Sequence, residues 1–338
     1  MKYDAILVVS FGGPEKREDV MPFLENVLRG KNVPRERMMT VAEHYDHFGG
    51  ASPINEENRA MIAALKVELA QHGLPLPIYW GNRNWHPLLA DTLRQMHADG
   101  IARAFAFVTS AYGSYSGCRQ YLEDIARARD EVGEHAPLVD KLRPFFNHPG
   151  FIEAIIAQVQ QAKAQFAAEP GAPLELVFTA HSIPLAMAKN SSYVEQLQEV
   201  CRLVAQGLGR PHYRLAYQSR SGPPSQPWLE PDILEVLREL KSDGATPNVL
   251  VVPIGFVFDH MEVLYDLDVE ARQLASELGL HMARARTVGR HPRFIAMIRE
   301  LIQERIEGRE KLAMGTMGPS PDVCPPDCCG LVGVPSGR

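Results

Sequence analysis

Short apolar runs alternate along the chain with longer stretches whose apolar residues recur every three to four positions. That alternation marks strands joined by amphipathic helices around a parallel sheet. The runs Ala5–Val9, Pro77–Trp80, Ala104–Thr109, Leu174–Thr179, Tyr213–Tyr217 and Val249–Pro253 predict strands. Helical spacing predicts helices over Asn55–His72, Leu88–Ala98, Cys118–Val132, Phe151–Phe166, Tyr193–Leu208, Asp232–Lys241, Glu262–Leu278 and Arg293–Ile306. The expected fold class is α/β, as two similar domains over residues 1–148 and 149–312. They meet near Phe145–Gly150, where aromatics and proline interrupt the helical pattern. After Arg309 the composition shifts to Gly, Pro and Cys, so residues 313–338 read as a cysteine-bearing tail without a core of its own.

A chain of 338 residues has room for two such domains. Its 45% hydrophobic and 22% charged composition is that of a globular protein and excludes a disordered or membrane-embedded one. A net charge of −6 gives no general attraction to nucleic acid. No apolar run reaches the length of a transmembrane segment, and Lys2 and Asp4 lead straight into a strand rather than a signal peptide. Five unevenly spread cysteines do not make a secreted disulfide framework, so the cytoplasm is the expected compartment.

The residues with chemistry sit at strand ends, where open parallel sheets bind their ligands. His181 follows the run Leu174–Ala180 and precedes Ser182-Ile183-Pro184. Glu262 follows Val249–Phe256 and sits in Asp259-His260-Met261-Glu262. A neutral imidazole and a carboxylate meeting there can take protons from a substrate and hold a cation. A lone strand-end histidine serves a structural role as readily. Glu262, Asp266 and Glu270 recur every four residues, which on a helix makes one acidic stripe. Such rows are more often solvated faces; at the end of an apolar strand the row could also lead a hydrated cation inward.

Cys324, Cys328 and Cys329 place three thiols within six residues, and soft thiolates favour zinc or iron–sulfur clusters. Structural sites of either metal normally take four protein ligands. Cys118, in a Tyr-, Ser- and Gly-rich loop, is a better fourth ligand than Cys201, which lies inside a helical pattern. Free thiols on a frayed tail are the plain alternative. Arg29, Lys31, Arg35 and Arg37 put four cations within nine residues, suited to an acidic ligand or simply to solvent.

Ser10–Pro14, Tyr45–Ile54, Thr179–Pro184, Tyr217–Pro224 and Gly255–Asp268 together resemble the ferrochelatase family over nearly the whole chain. The likeness is greatest to actinobacterial-type coproporphyrin ferrochelatases, which carry a C-terminal cysteine cluster. The resemblance implies two Rossmann-like domains with parallel sheets flanked by helices, the macrocycle held in the cleft between them. It makes His181 the catalytic histidine and Glu262 its partner carboxylate, both meeting the substrate Fe2+, with Asp266 and Glu270 as an outer acidic row. Phe11 stands where many coproporphyrin enzymes have a tyrosine near the metal. Arg29, Ser52 and Tyr121 match positions that hold propionates, and His44, followed by Tyr45, stands where some relatives carry arginine. Cys118, Cys324, Cys328 and Cys329 match the ligands of a 2Fe–2S cofactor.

The function so implied is insertion of Fe2+ into coproporphyrin III in haem biosynthesis, with a fall in turnover below about pH 6 where an ordinary imidazole becomes charged. A protoporphyrin IX ferrochelatase is the alternative of the same class. A non-catalytic tetrapyrrole-binding iron–sulfur protein is the alternative of another class, although an acid beside a dianionic ligand weakens storage binding. The expected partners are the porphyrin, Fe2+ and, transiently, neighbouring haem-pathway enzymes; no nucleic acid and no transmembrane segment are expected.

Overall fold

The computed structural model describes residues 2–30, 33–166, 173–223, 225–244, 246–325 and 328–330. The chain folds as two compact units. Unit 1 takes the residues up to Thr109, Gln120–Leu142 and Ile298–Glu310; unit 2 takes Ser110–Arg119, Arg143–Met297 and the residues from Lys311 onward. The expected boundaries gave each domain one continuous run, whereas the structure exchanges segments, and the reasons are local. Tyr112 donates to the Ile254 carbonyl and the Gly113 amide to Gln196, which assigns the 110–119 loop to unit 2. Arg299 pairs with Glu68 at 2.8 Å and Arg305 reaches the Tyr3 hydroxyl, which assigns the chain after Met297 to unit 1.

In unit 1 the strands are β1 (Ala5–Ser10), β2 (Ile78–Asn82), β3 (Arg103–Val108) and β4 (Leu138–Lys141), all parallel, in the order β2-β1-β3-β4. In unit 2 they are β5 (Leu174–His181), β6 (Arg214–Gln218), β7 (Asn248–Val252) and β8 (His281–Arg284), in the order β6-β5-β7-β8. The two sheets thus repeat one permutation. Every residue of β1 and of β7 is buried, as continuous apolar strands must be when helices cover both faces of a parallel sheet.

The helices are α1 (Arg17–Val27), α2 (Arg35–Asp46), α3 (Ile54–Gln71), α4 (Leu89–Ala98), α5 (Gln120–Val132), α6 (Pro149–Lys163), α7 (Leu185–Lys189), α8 (Tyr193–Gly207), α9 (Ile233–Asp243), α10 (Met261–Val263), α11 (Arg272–Glu277) and α12 (Pro292–Glu307). Local chemistry sets their ends. At α6 the His148 ring accepts from the Gly150 amide, with Pro149 at the position where a missing N–H costs nothing. At α9 Asp232 and Glu235 form a reciprocal capping box, and Gly244 closes the helix at φ 63°. Its apolar stripe of Ile233, Val236, Leu237 and Leu240 packs with Val177, Val249 and Val251 of the sheet, each such burial contributing roughly 1.5–3 kcal/mol.

The continuous helix expected over Glu262–Leu278 is instead α10, a π-helical stretch Leu264–Ala271, and α11. The helix expected from Cys118 begins as a π turn, Tyr115–Arg119, before α5. Wide turns of this kind concentrate at functional positions.

Candidate functional site

In the strand order β6-β5-β7-β8 the chain reverses its direction of travel across the sheet between β5 and β7, so the crevice for a ligand opens at their carboxyl ends. His181 is the last residue of β5, and Glu262 lies on the segment that leaves β7. Gly255 lets that segment return against β5. A Cβ there would stand 2.6 Å from Ala180 Cα, and the Gly255 amide donates to the Thr179 carbonyl at 3.1 Å.

The structure brings the two residues together, His181 Nε2 lying 3.6 Å from Glu262 Oε2. His181 Nδ1 bonds the Ser182 carbonyl. A carbonyl oxygen only accepts, so Nδ1 keeps its hydrogen and Nε2 is the atom that titrates. Burial works against a charged imidazole here, but Glu262, the Ser182 carbonyl and Asp266 outweigh it and raise the His181 pKa to about 8. Partial desolvation also opposes the half-exposed Glu262 carboxylate, and the two imidazoles of His181 and His260 outweigh it, lowering its pKa to about 2. The pair is therefore an ion pair at neutral pH. His260 accepts the Glu262 amide at Nδ1, 3.2 Å away, and its ring packs edge-on against Phe256.

Asp266 does not sit on a plain solvated face. The Ser219 hydroxyl donates to its carboxylate, and Gln218 Nε2 lies 3.4 Å from Asp266 Oδ2 and 3.1 Å from the Glu262 carbonyl oxygen. Burial first, then Glu262 and Glu270, push the Asp266 pKa up to about 7, against the Ser219 bond. Ser219 holds φ 61°, a left-handed conformation unusual for a residue with a Cβ and one that tends to persist at functional sites. Glu270 is exposed, with its pKa raised by partial desolvation and by Asp232. Glu262, Asp266 and Glu270 thus form a graded row, from an ionised acid through one half-titrated near neutrality to one at the surface.

The substrate-binding candidates of the sequence all fall in unit 1. Phe11, immediately after β1, is 36% exposed, and its ring meets Phe23 edge-on at 6.2 Å. Phe23 in turn meets Tyr45 and Trp85. Ser52 is buried against Gly13, whose missing side chain is required because a Cβ would come within 2.9 Å of Ser52 Cβ. Tyr121 is buried, and its phenol is held up in pKa by burial. Arg29 is exposed and donates to Asn26, and Lys31 lies outside the described residues. His44 is lowered in pKa by burial and by Arg37, so it is uncharged at neutral pH.

Arg83 is a residue the sequence reading missed. Its guanidinium lies 4.5 Å from the Tyr121 ring centre and 5.8 Å from that of Phe11, and it pairs with Asp124 while only 7% exposed. Its place directly after β2, one residue beyond Asn82, was the available signal.

The thiols converge within unit 2. Cys328 Sγ lies 3.6 Å from Cys329 Sγ. Burial and Cys329 push the Cys328 thiol up in pKa, Cys324 bonds it and pulls it down, and Cys118 raises it. None of the four is in a disulfide. The four soft donors come from two segments, and among the described residues no three metal-binding side chains form a group that could hold a metal ion. Cys201 is fully buried in α8, an apolar packing residue.

The tail is strapped down rather than loose. Arg143 donates to the Leu312 carbonyl, and Asn147 to those of Met314 and Gly318. The Thr316 amide donates at 2.7 Å to Glu199 of α8, a buried carboxylate kept ionised chiefly by Arg202. One turn earlier on α8, Gln196 accepts the Gly113 amide at 2.7 Å, so a single helix face holds both cysteine-bearing segments. Part of the expected tail, residues 331–338, lies outside the described residues.

The ferrochelatase family profile matches residues 3–306. The chain belongs to the ferrochelatase family. A ferrochelatase of Rhodopirellula baltica is 60% identical over 97% of this chain and 93% of its own length. The coproporphyrin III ferrochelatase of Streptomyces coelicolor is 50% identical with the same coverages, and that of Mycobacteroides abscessus 48% over 98% and 99%. Among solved structures, SirB from Bacillus subtilis with Fe3+ superposes with TM-score 0.54 at 14% identity over 91% of this chain and 98% of its own, a likeness of fold. Both sheets thus belong to a ferrochelatase, and no described helix is long and apolar enough to cross a membrane.

Proposed function

We propose that this ferrochelatase inserts Fe2+ into coproporphyrin III, the substrate carried in the names of its actinobacterial relatives. The observation that carries the reading is the His181–Glu262 pair with its titrating Nε2 turned to the carboxylate. Insertion releases two pyrrole protons and needs a cation stripped of water. Glu262 and Nε2 take up the incoming Fe2+, whose charge expels the imidazole proton. As iron passes to the pyrrole nitrogens, Nε2 takes back one pyrrole proton and the other leaves along Asp266, so with the proton expelled earlier two protons depart for each Fe2+ and charge balances. Asp266, poised near neutrality, and Glu270 at the surface hand protons outward.

Phe11, Tyr45, Ser52 and Tyr121 are proposed to contact the macrocycle and its edge, and Arg29 and His44 its propionates. An uncharged His44 supplies a hydrogen bond there rather than a full charge. Cys118, Cys324, Cys328 and Cys329 are proposed to hold a 2Fe–2S cluster. Such a cluster supplies one-electron chemistry, which metal insertion does not use, so its part here is to pin the tail. A cytoplasmic setting and transient contact with neighbouring haem-pathway enzymes complete the reading.

The test is an anaerobic mixture of the protein, Fe2+ and metal-free coproporphyrin III, followed by the collapse of the four free-base visible bands into two. Faster turnover of protoporphyrin IX would reassign the substrate, and binding without metallation of either porphyrin would leave a carrier.

A further inference from the structure

The Glu262 side chain is half exposed, and its carboxylate faces His181 at 3.6 Å, so what fixes its position is its backbone. That backbone is gripped at both ends by one residue that none of the roles above employs. Arg284, the last residue of β8, is only 9% exposed in its side chain. Its Nη1 and Nη2 reach Asp259 Oδ1 at 3.0 Å and Oδ2 at 3.3 Å. On the other side, Nε lies 2.9 Å from Asp268 Oδ1, and Nη2 lies 2.7 Å from Asp268 Oδ2. Nη1 also donates to the Ala285 carbonyl at 3.2 Å. The donors of one planar fork are thus spent on two carboxylates and one carbonyl.

Asp259 stands three residues before Glu262, and Asp268 six residues after it, inside the π-helical stretch. Without the guanidinium these two acids would repel across the turn that carries Glu262. We infer that Arg284 is a positioning residue for Glu262, tying Asp259 and Asp268 to the end of the sheet so that the carboxylate is presented to His181. The inference rests on the proposed role of Glu262. A lysine substitutes only in part, since it keeps the charge but its three donors cannot bridge both carboxylates in the plane of a fork.

The experiment measures metal insertion by Arg284→Lys, Arg284→Met, Glu262→Gln and the double variant Arg284→Met/Glu262→Gln, with free-base porphyrin affinity read separately by fluorescence. Loss of an outer partner of this kind costs about 10–100-fold. Arg284→Met is expected at the severe end, with Arg284→Lys partly rescued. Porphyrin affinity should be unchanged and the KM for Fe2+ raised. Because Arg284 acts through Glu262, the double variant should be little worse than Glu262→Gln alone. Losses that multiply in the double variant, or wild-type turnover by Arg284→Met beside an inactive Glu262→Gln, overturn the inference alone. Wild-type turnover by Glu262→Gln overturns the catalytic pair, and the inference with it. Should Arg284→Met fail to fold, Asp259→Asn removes one arm of the clamp and must show the same iron-selective loss; intact iron kinetics in that variant also overturn it.

Discussion

His181 turns Nδ1 to the carbonyl of Ser182 and Nε2 to the carboxylate of Glu262, 3.6 Å away. One ring nitrogen is thereby committed to the backbone and the other to chemistry. The groups facing that second nitrogen are Glu262 and Asp266, which favour the imidazolium, and His260, whose own charge is suppressed by burial.

The first expectation concerns pH. The imidazole accepts a proton only when neutral, and its pKa in the substrate-free protein is raised to about 8. Log kcat/KM for the porphyrin should therefore fall with a slope of about one per pH unit as the pH drops below that value. Sequence alone pointed to about pH 6, the behaviour of an ordinary histidine; the carboxylate partner moves the limb upward. An NMR titration of His181 in wild type and Glu262→Gln should show the midpoint drop when the carboxylate is removed. An unchanged midpoint would leave Glu262 without influence on the base.

Ser219 tests the outward row. Its hydroxyl bond, together with His181, holds the Asp266 pKa down against burial and two neighbouring acids. Ser219→Ala should raise that pKa further and slow turnover by less than about tenfold, as for an assisting proton-transfer group. The comparison is kcat across about pH 6–9, the range in which such a group titrates. Adding Asp266→Asn should remove the difference between the wild-type and Ser219→Ala backgrounds.

Gly255 concerns geometry rather than proton transfer. Gly255→Ala forces a methyl onto Ala180, the residue before His181. Overpacking of this kind costs about 1–3 kcal/mol, so both Tm and turnover should fall, while Cys201→Ala, which trims a buried packing residue of α8, should affect stability alone. Thermal unfolding beside steady-state kinetics separates the two.

The thiols allow a spectroscopic test. Serine at Cys118, Cys324, Cys328 or Cys329 should abolish the visible thiolate-to-iron absorption of the purified protein and its acid-labile sulfide, and Cys201→Ala should leave both intact. A colourless protein with full chelatase activity would remove the cluster and keep the enzyme.

The sequence displayed β1, β2, β3, β5, β6 and β7, most clearly through the apolar stretches in β1, β5 and β7. It hid β4 and β8, which are only four residues long, with Asp140 and Lys141 or His281 and Arg284 diluting the apolar signal. Helices α1 and α2 were equally quiet, the first carrying Pro22 internally and the second burying little besides Tyr45. The π-helical course after Glu262 could not be read, since side chains four apart share a face whether the backbone closes four- or five-residue rings. His181, Glu262 and the cysteines announced themselves by residue type; Arg83 and Arg284 did not, because a buried arginine differs from a surface one only in its partners.

The grip of α8 on the tail has a consequence for how any iron–sulfur centre would be built. Gln196 and Glu199 gather the two thiol-bearing segments by accepting hydrogen bonds from the backbone amides of Gly113 and Thr316, which need no metal. The C-terminal arm therefore has a fastening of its own beside any cluster, and stripping out iron should bleach the protein and loosen only the thiol-bearing end of the tail, while Thr316 stays on Glu199.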